Sequence, residues 1–66
     1  MIIDADQITS TEVDVRAHRR DGKWHVTGWP QPLDRNGAIT VITIAEERAR
    51  PEPDWALIEA LEAELR

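Results

Sequence analysis

The chain has 66 residues, no cysteine and a formal net charge of −5. A chain of this length forms one small domain, and the lack of cysteine excludes disulfides and thiolate metal sites. The negative charge argues against non-specific nucleic-acid binding by the chain as a whole. Apolar runs are too short to span a bilayer and residues 1–4 lack the basic start of a signal peptide, so we expect a cytoplasmic, non-membrane protein.

A β-hairpin is predicted over about residues 11–29. Asp21-Gly22 is typical of a two-residue type I′ turn, which needs positive φ at both central positions. Apolar and polar residues alternate on both sides of the turn, so a single register brings the small apolar residues to one face. The expected cross-strand pairs are Arg20 with Lys23, Arg19 with Trp24, His18 with His25, Ala17 with Val26, Arg16 with Thr27 and Asp14 with Trp29.

Residues 34–50 carry conflicting signals. Ile39 to Ile44 are all β-branched, which favours a strand, and Asn36-Gly37 is itself a hairpin signal. Apolar residues nevertheless recur at helical spacing, on one arc of a helix. Placing the β-branched run in a helix costs roughly 2 kcal/mol, because these residues have low helix propensity. Burial of the apolar arc can offset that cost. The apolar arc consists of Ala38, Val41, Ile42, Ala45 and Ala49.

We therefore expect a helix over about residues 35–49, capped by Asp34 or Asn36 and ended by Pro51. Its water-facing side would hold Asn36, Thr40, Thr43 and Glu47.

A second helix is predicted over about residues 54–65, opened by Pro53 with Asp54 as its cap. Its apolar stripe contains Ile58 and Leu61, and Glu62 stands four residues before Arg66, which favours an ion pair. These elements predict an α+β fold, a two-stranded antiparallel hairpin packed against two helices in ββαα order. The sequence does not decide whether residues 1–10 add a third, N-terminal strand. The expected core is Val13, Val15, Ala17, Trp24, Val26, Val41, Ile42, Ala45, Ile58, Leu61 and Leu65, with Trp55 also assigned to it.

Candidate binding residues lie mostly on the hairpin. The turn end of the hairpin is basic and could enter a nucleic-acid groove as a two-stranded ribbon. This basic tip consists of Arg16, Arg19, Arg20 and Lys23. His18 and His25 stand opposite each other, but a zinc site needs a third ligand from Glu12 or Asp14, so we expect two solvent-facing histidines. Trp29 is the strongest candidate for partner binding, on the face opposite the small apolar residues, because tryptophan is enriched among interface hot spots. The alternative is that the second helix packs over Trp29 through Trp55 or Leu57.

The run Trp24-His25-Val26-Thr27-Gly28-Trp29-Pro30, followed by Leu33-Asp34-Arg35-Asn36 and residues 38–46, resembles small uncharacterised proteins of actinobacteria and their phages. The resemblance covers about the middle third of the chain and implies no known reaction. In those proteins we expect a helix former at the position of Gly37. The hairpin-then-helix order also resembles antitoxins of the HicB-type fold, although here a second helix stands where that fold has a further strand.

The sequence thus predicts a non-enzymatic protein-binding module. The resemblance implies that it is a phage or prophage protein that modulates a host protein. Its partner would be another protein or a second copy in a homodimer. The alternative is an antitoxin-like or regulatory nucleic-acid-binding protein that uses the basic hairpin tip. No nucleophile motif or phosphate loop is present in the sequence, so we expect no catalytic residue, no cofactor and no metal.

Overall fold

The structure, a computed structural model, describes residues 1–65. Its elements are β1 (Ile2–Ile3), β2 (Gln7–Thr9), β3 (Arg16–Arg20), β4 (Lys23–Val26), α1 (Arg35–Arg48) and α2 (Trp55–Glu64). The strands form one antiparallel sheet in the order β1-β2-β3-β4. The α+β fold class is confirmed, but the sheet has four strands where the sequence predicted two and left a third open.

The β3–β4 hairpin has the predicted turn and register. Asp21 and Gly22 have φ of 55° and 77°, and β3 pairs with β4 through the four expected pairs from Arg20–Lys23 to Ala17–Val26. The hairpin is shorter than residues 11–29, however. The Ser10 hydroxyl accepts hydrogen bonds from the backbone N–H groups of Glu12 and Val13, each at 3.0 Å. This turn links β2 to β3 in place of a longer strand.

The N-terminal segment contributes a core residue that the sequence did not reveal. Ile8 is 0 % exposed and pairs with Ala17 on the neighbouring strand. The strand that carries it has three residues, which is too short to show the alternation that identifies a strand in a sequence.

The disputed stretch is a helix, as its apolar spacing predicted. The Asp34 carboxylate caps it by accepting a hydrogen bond from Gly37 N–H at 2.6 Å. A Cβ at position 37 would lie 3.0 Å from that carboxylate and 3.2 Å from Leu33 Cβ, so the glycine leaves room for the cap. The hydroxyls of Thr40 and Thr43 donate to carbonyls four residues earlier, which satisfies them within the helix.

Helix α1 is the middle of three layers. Ala38 and Ile42, both 0 % exposed, join the core formed with the sheet. Ile44 lies about 200° further round the helix from Ile42, and both Ile44 and Ile58 of α2 are buried. Helix α2 packs mainly against α1, so the expectation that both helices pack on the hairpin is wrong for α2.

Several burial predictions are also corrected. Trp55 is 63 % exposed, although it shares a helical stripe with the buried Ile58 three residues later; it is the first residue of α2. Glu47 was expected to face water, yet it is 6 % exposed. Its carboxylate accepts a hydrogen bond from Asp54 N–H at 3.1 Å and lies 3.4 Å from Arg50 Nε, so it holds the loop between the helices. The expected core residues that are only half-buried are Val13, Val15, Val41, Ala45, Leu61 and Leu65.

The predicted Glu62–Arg66 ion pair lies outside the described residues, since Arg66 is not among them. Glu62 instead accepts a hydrogen bond from Arg48 Nη2 at 2.7 Å. Neither described helix has the length and apolar content that crossing a membrane requires.

The packing of α1 on the sheet predicts that Ile42→Val lowers the free energy of unfolding by about 1 kcal/mol, because a buried methylene group is lost. Ile2→Val makes the same chemical change at a side chain that is 53 % exposed, and it should change stability by less than about 0.5 kcal/mol. Urea unfolding of the two variants measures both values. Equal losses would contradict the burial difference between these positions.

Candidate functional site

Five of the predicted binding residues share one surface. Side chains alternate between the two faces of a strand, and Ala17, Trp24 and Val26 are buried on the face that α1 covers. Their sequence neighbours therefore point to the uncovered face. We call this surface the open sheet face, and it consists of Arg16, His18, Arg20, Lys23 and His25, continued by Gln7 and Thr9 of β2. The sequence missed Gln7 and Thr9 because it did not predict β2.

The two histidines occupy the middle of the open sheet face. They are directly opposite each other on β3 and β4, with ring centroids 5.5 Å apart and ring planes inclined by 27°. Arg16 lies on one side of this pair along the strand, and the Arg20–Lys23 pair lies on the other, each about 7 Å away. Among residues 1–65, no three His, Asp or Glu side chains are placed to hold a metal ion.

Arg19 lies on the opposite face of the sheet from the other three predicted cations. It pairs with Trp24 and so lies on the face that α1 covers. Its Nη2 is 3.1 Å from Asp6 Oδ1, and its backbone N–H donates to the Asp6 carbonyl at 2.8 Å. The four cations predicted to form a basic tip are therefore divided between two faces, because adjacent strand residues point in opposite directions.

Trp29 lies on the helix side of the molecule and not on the face where it was expected. Strand β4 ends at Val26, and Gly28, with φ of 78°, redirects the chain so that Trp29 N–H donates to the Val26 carbonyl at 2.9 Å. No Asp14–Trp29 pair forms, because both residues lie outside the strands. We define the Trp29 groove, of about 280 Å³, by its lining residues Trp29, Val41, Ile44, Arg48, Glu62 and Leu65.

The rim and surroundings of the Trp29 groove are charged. Arg48 and Glu62 form an ion pair at 2.7 Å, with side chains 51 % and 39 % exposed. The sequence from residue 54 to residue 65 contains four acids and no base. The molecule therefore presents an apolar groove beside an acidic helix on one side and a basic sheet face on the other. Sequence reasoning missed the groove because it depends on how α2 packs against α1.

No protein-family model, no curated protein and no solved structure matches this chain. Its two distinctive surfaces are therefore the basis on which a function can be inferred.

The turn that places Trp29 yields a stability prediction. A Cβ at position 28 would meet nothing within 4 Å, so the cost of Gly28→Ala comes from the backbone alone. We expect Gly28→Ala to lower the free energy of unfolding by about 1–2 kcal/mol, because a left-handed conformation is strained for alanine. Gly28→Asn should cost less than half as much, since asparagine tolerates positive φ. Urea unfolding compares the two, and equal costs would argue against a left-handed turn at this position.

Proposed function

We propose that this protein is a non-enzymatic binding module that holds a partner protein through the Trp29 groove. The supporting observation is a tryptophan that remains 36 % exposed beside Val41 and Ile44 in a groove of about 280 Å³. That volume is below the range of about 300–1,000 Å³ that drug-sized ligands occupy. It suits a single apolar side chain of a partner, the type of anchor that dominates many interfaces.

The chain around Trp29 is constrained before any partner binds. The Val26–Trp29 hydrogen bond closes the turn on one side, and Pro30 and Pro32 restrict the backbone on the other. Leu33 then pairs with Trp24 in an isolated bridge, which fixes the far end of the loop. A binding residue that is already ordered loses less conformational entropy on association, so this arrangement favours Trp29 as an anchoring contact.

The charge of α2 indicates which partner fits. The helix and its cap carry Asp54, Glu59, Glu62 and Glu64 without a base between residues 54 and 65. A partner segment with an apolar residue flanked by lysine or arginine complements this surface, and such complementarity accelerates and orients association. A second copy is a poorer fit, because two acidic α2 helices would face each other across the interface.

A non-enzymatic role is supported by the chain's lack of cysteine and of any motif that pairs a nucleophile with a base. The resemblance to small proteins of actinobacteria and their phages is the basis for placing the partner in a bacterial host.

Selection from a random peptide library displayed on phage tests this proposal. We expect wild-type protein to enrich peptides that carry one large apolar residue flanked by lysine or arginine. Trp29→Ala should weaken binding of a selected peptide by about 30-fold or more, the scale of a hot-spot residue. Trp55→Ala is the matched control, since Trp55 is also exposed but lies outside the groove, and it should leave the affinity unchanged.

Equal enrichment by wild type and Trp29→Ala would contradict the proposal. Sedimentation of the wild-type protein alone provides a second criterion. A wild-type dimer that Trp29→Ala converts to a monomer would assign the groove to a second copy and overturn the proposed partner.

A further inference from the structure

The open sheet face has an arrangement that the groove does not explain. Stacked imidazoles of His18 and His25 form its centre, with Arg16 on one side and Arg20 and Lys23 on the other. The two arginines are four positions apart on β3, which corresponds to about 13 Å along the strand. Aromatic rings flanked by cations are the two components of single-stranded nucleic-acid sites, in which bases stack and phosphates pair with cations.

We propose that the open sheet face binds single-stranded nucleic acid, with bases stacking on His18 and His25 and phosphates contacting Arg16, Arg20 and Lys23. This site is separate from the proposed protein-binding groove and does not depend on it. Gln7 and Thr9 extend the same face across β2 and add polar groups that can hydrogen-bond to bases or sugars.

The width of the sheet favours a single strand over the groove of a duplex. Where all four strands pair, in the row through Ile8 and Ala17, they span about 14 Å between the outermost backbones, whereas the major groove is about 12 Å wide. A free two-stranded ribbon could enter that groove, but the sheet widens at His18, where β2 joins β3, and α1 covers the other face of the hairpin. Insertion of the hairpin into a duplex as far as the two histidines is therefore disfavoured by the architecture.

The acidic net charge does not oppose local binding at this face. The acids of α2 lie beyond α1, at about 20 Å from the sheet when two layer spacings are added. That distance exceeds the Debye length of about 8 Å at physiological ionic strength, so these charges are largely screened. On this face Arg16 Nη2 lies 3.9 Å from Asp14 Oδ1, and both side chains are exposed, which leaves Arg16 only weakly paired.

Fluorescence anisotropy with labelled twelve-nucleotide DNA and RNA single strands, and with the corresponding DNA duplex, tests the proposal on the full chain. We expect both single strands to bind more tightly than the duplex. Three phosphate contacts predict a slope of log affinity against log salt of about −2, or about 20-fold weaker binding between 50 and 200 mM salt. The DNA and RNA arms show whether the sugar contributes to recognition.

Arg19 and Arg20 form a matched pair of variants, because they are adjacent in β3 but lie on opposite faces. Arg20→Gln should weaken binding and make the salt slope shallower by about 0.7, the contribution of one phosphate contact to a single strand. Arg19→Gln removes the same charge beside Asp6 and should change neither quantity.

His25→Thr separates stacking from charge and retains a residue that favours strands. We expect about tenfold weaker binding with an unchanged salt slope, because the variant loses a stacking surface and no phosphate contact. Thermal melting of each variant establishes that it is folded under the assay conditions.

Three results would overturn the proposal. They are no binding of either single strand at 20 mM salt, tighter binding of the duplex than of the single strands, and equal losses for Arg19→Gln and Arg20→Gln. Unchanged affinity of a folded His25→Thr would remove the stacking role of the histidines.

Discussion

The packing of α1 on one face of the sheet is the contact on which the rest of the molecule depends. Ala38 and Ile42 are fully buried against a core that includes Ile8 and Trp24. Within residues 1–65, α1 covers one face of the sheet and α2 packs against α1. The far face of the sheet and much of α2 therefore remain uncovered, and both candidate surfaces are direct consequences of this layering.

The layering also separates the charges. Along the sequence, four cations cluster in residues 16–23 and four acids in residues 54–65. The fold places these clusters on opposite sides of α1, since three cations of the hairpin project from the uncovered face of the sheet and the acids lie on the outermost helix. Separation by a whole helical layer exceeds the distance over which exposed charges act in physiological salt. A protein with a net charge of −5 can therefore present a locally basic surface, and its two faces can serve chemically different partners.

The errors of the sequence interpretation share a physical origin. Trp29 was expected on the open sheet face, but β4 ends three residues before it and the left-handed Gly28 redirects the chain. Trp55 and Glu47 were placed from helical periodicity alone. Periodicity shows which residues share an arc. It does not show which arc faces a neighbour when a helix is covered on two sides, as α1 is, or which residues of an arc the neighbour covers, as at Trp55. Glu47 is buried because the loop between the helices folds back over it.

Local chemistry was sufficient to predict the Asp21-Gly22 turn, the register of β3 and β4, and the caps at Asp34 and Asp54. These features depend on residues within a few positions of one another, so the sequence by itself determined them. Tertiary structure decided the burial of Ile8, the order of the three layers, the separation of Arg19 from the other hairpin cations, and the Trp29 groove. Each of these depends on pairing between distant segments, whose stability comes from apolar area buried collectively and not from the preferences of any single stretch.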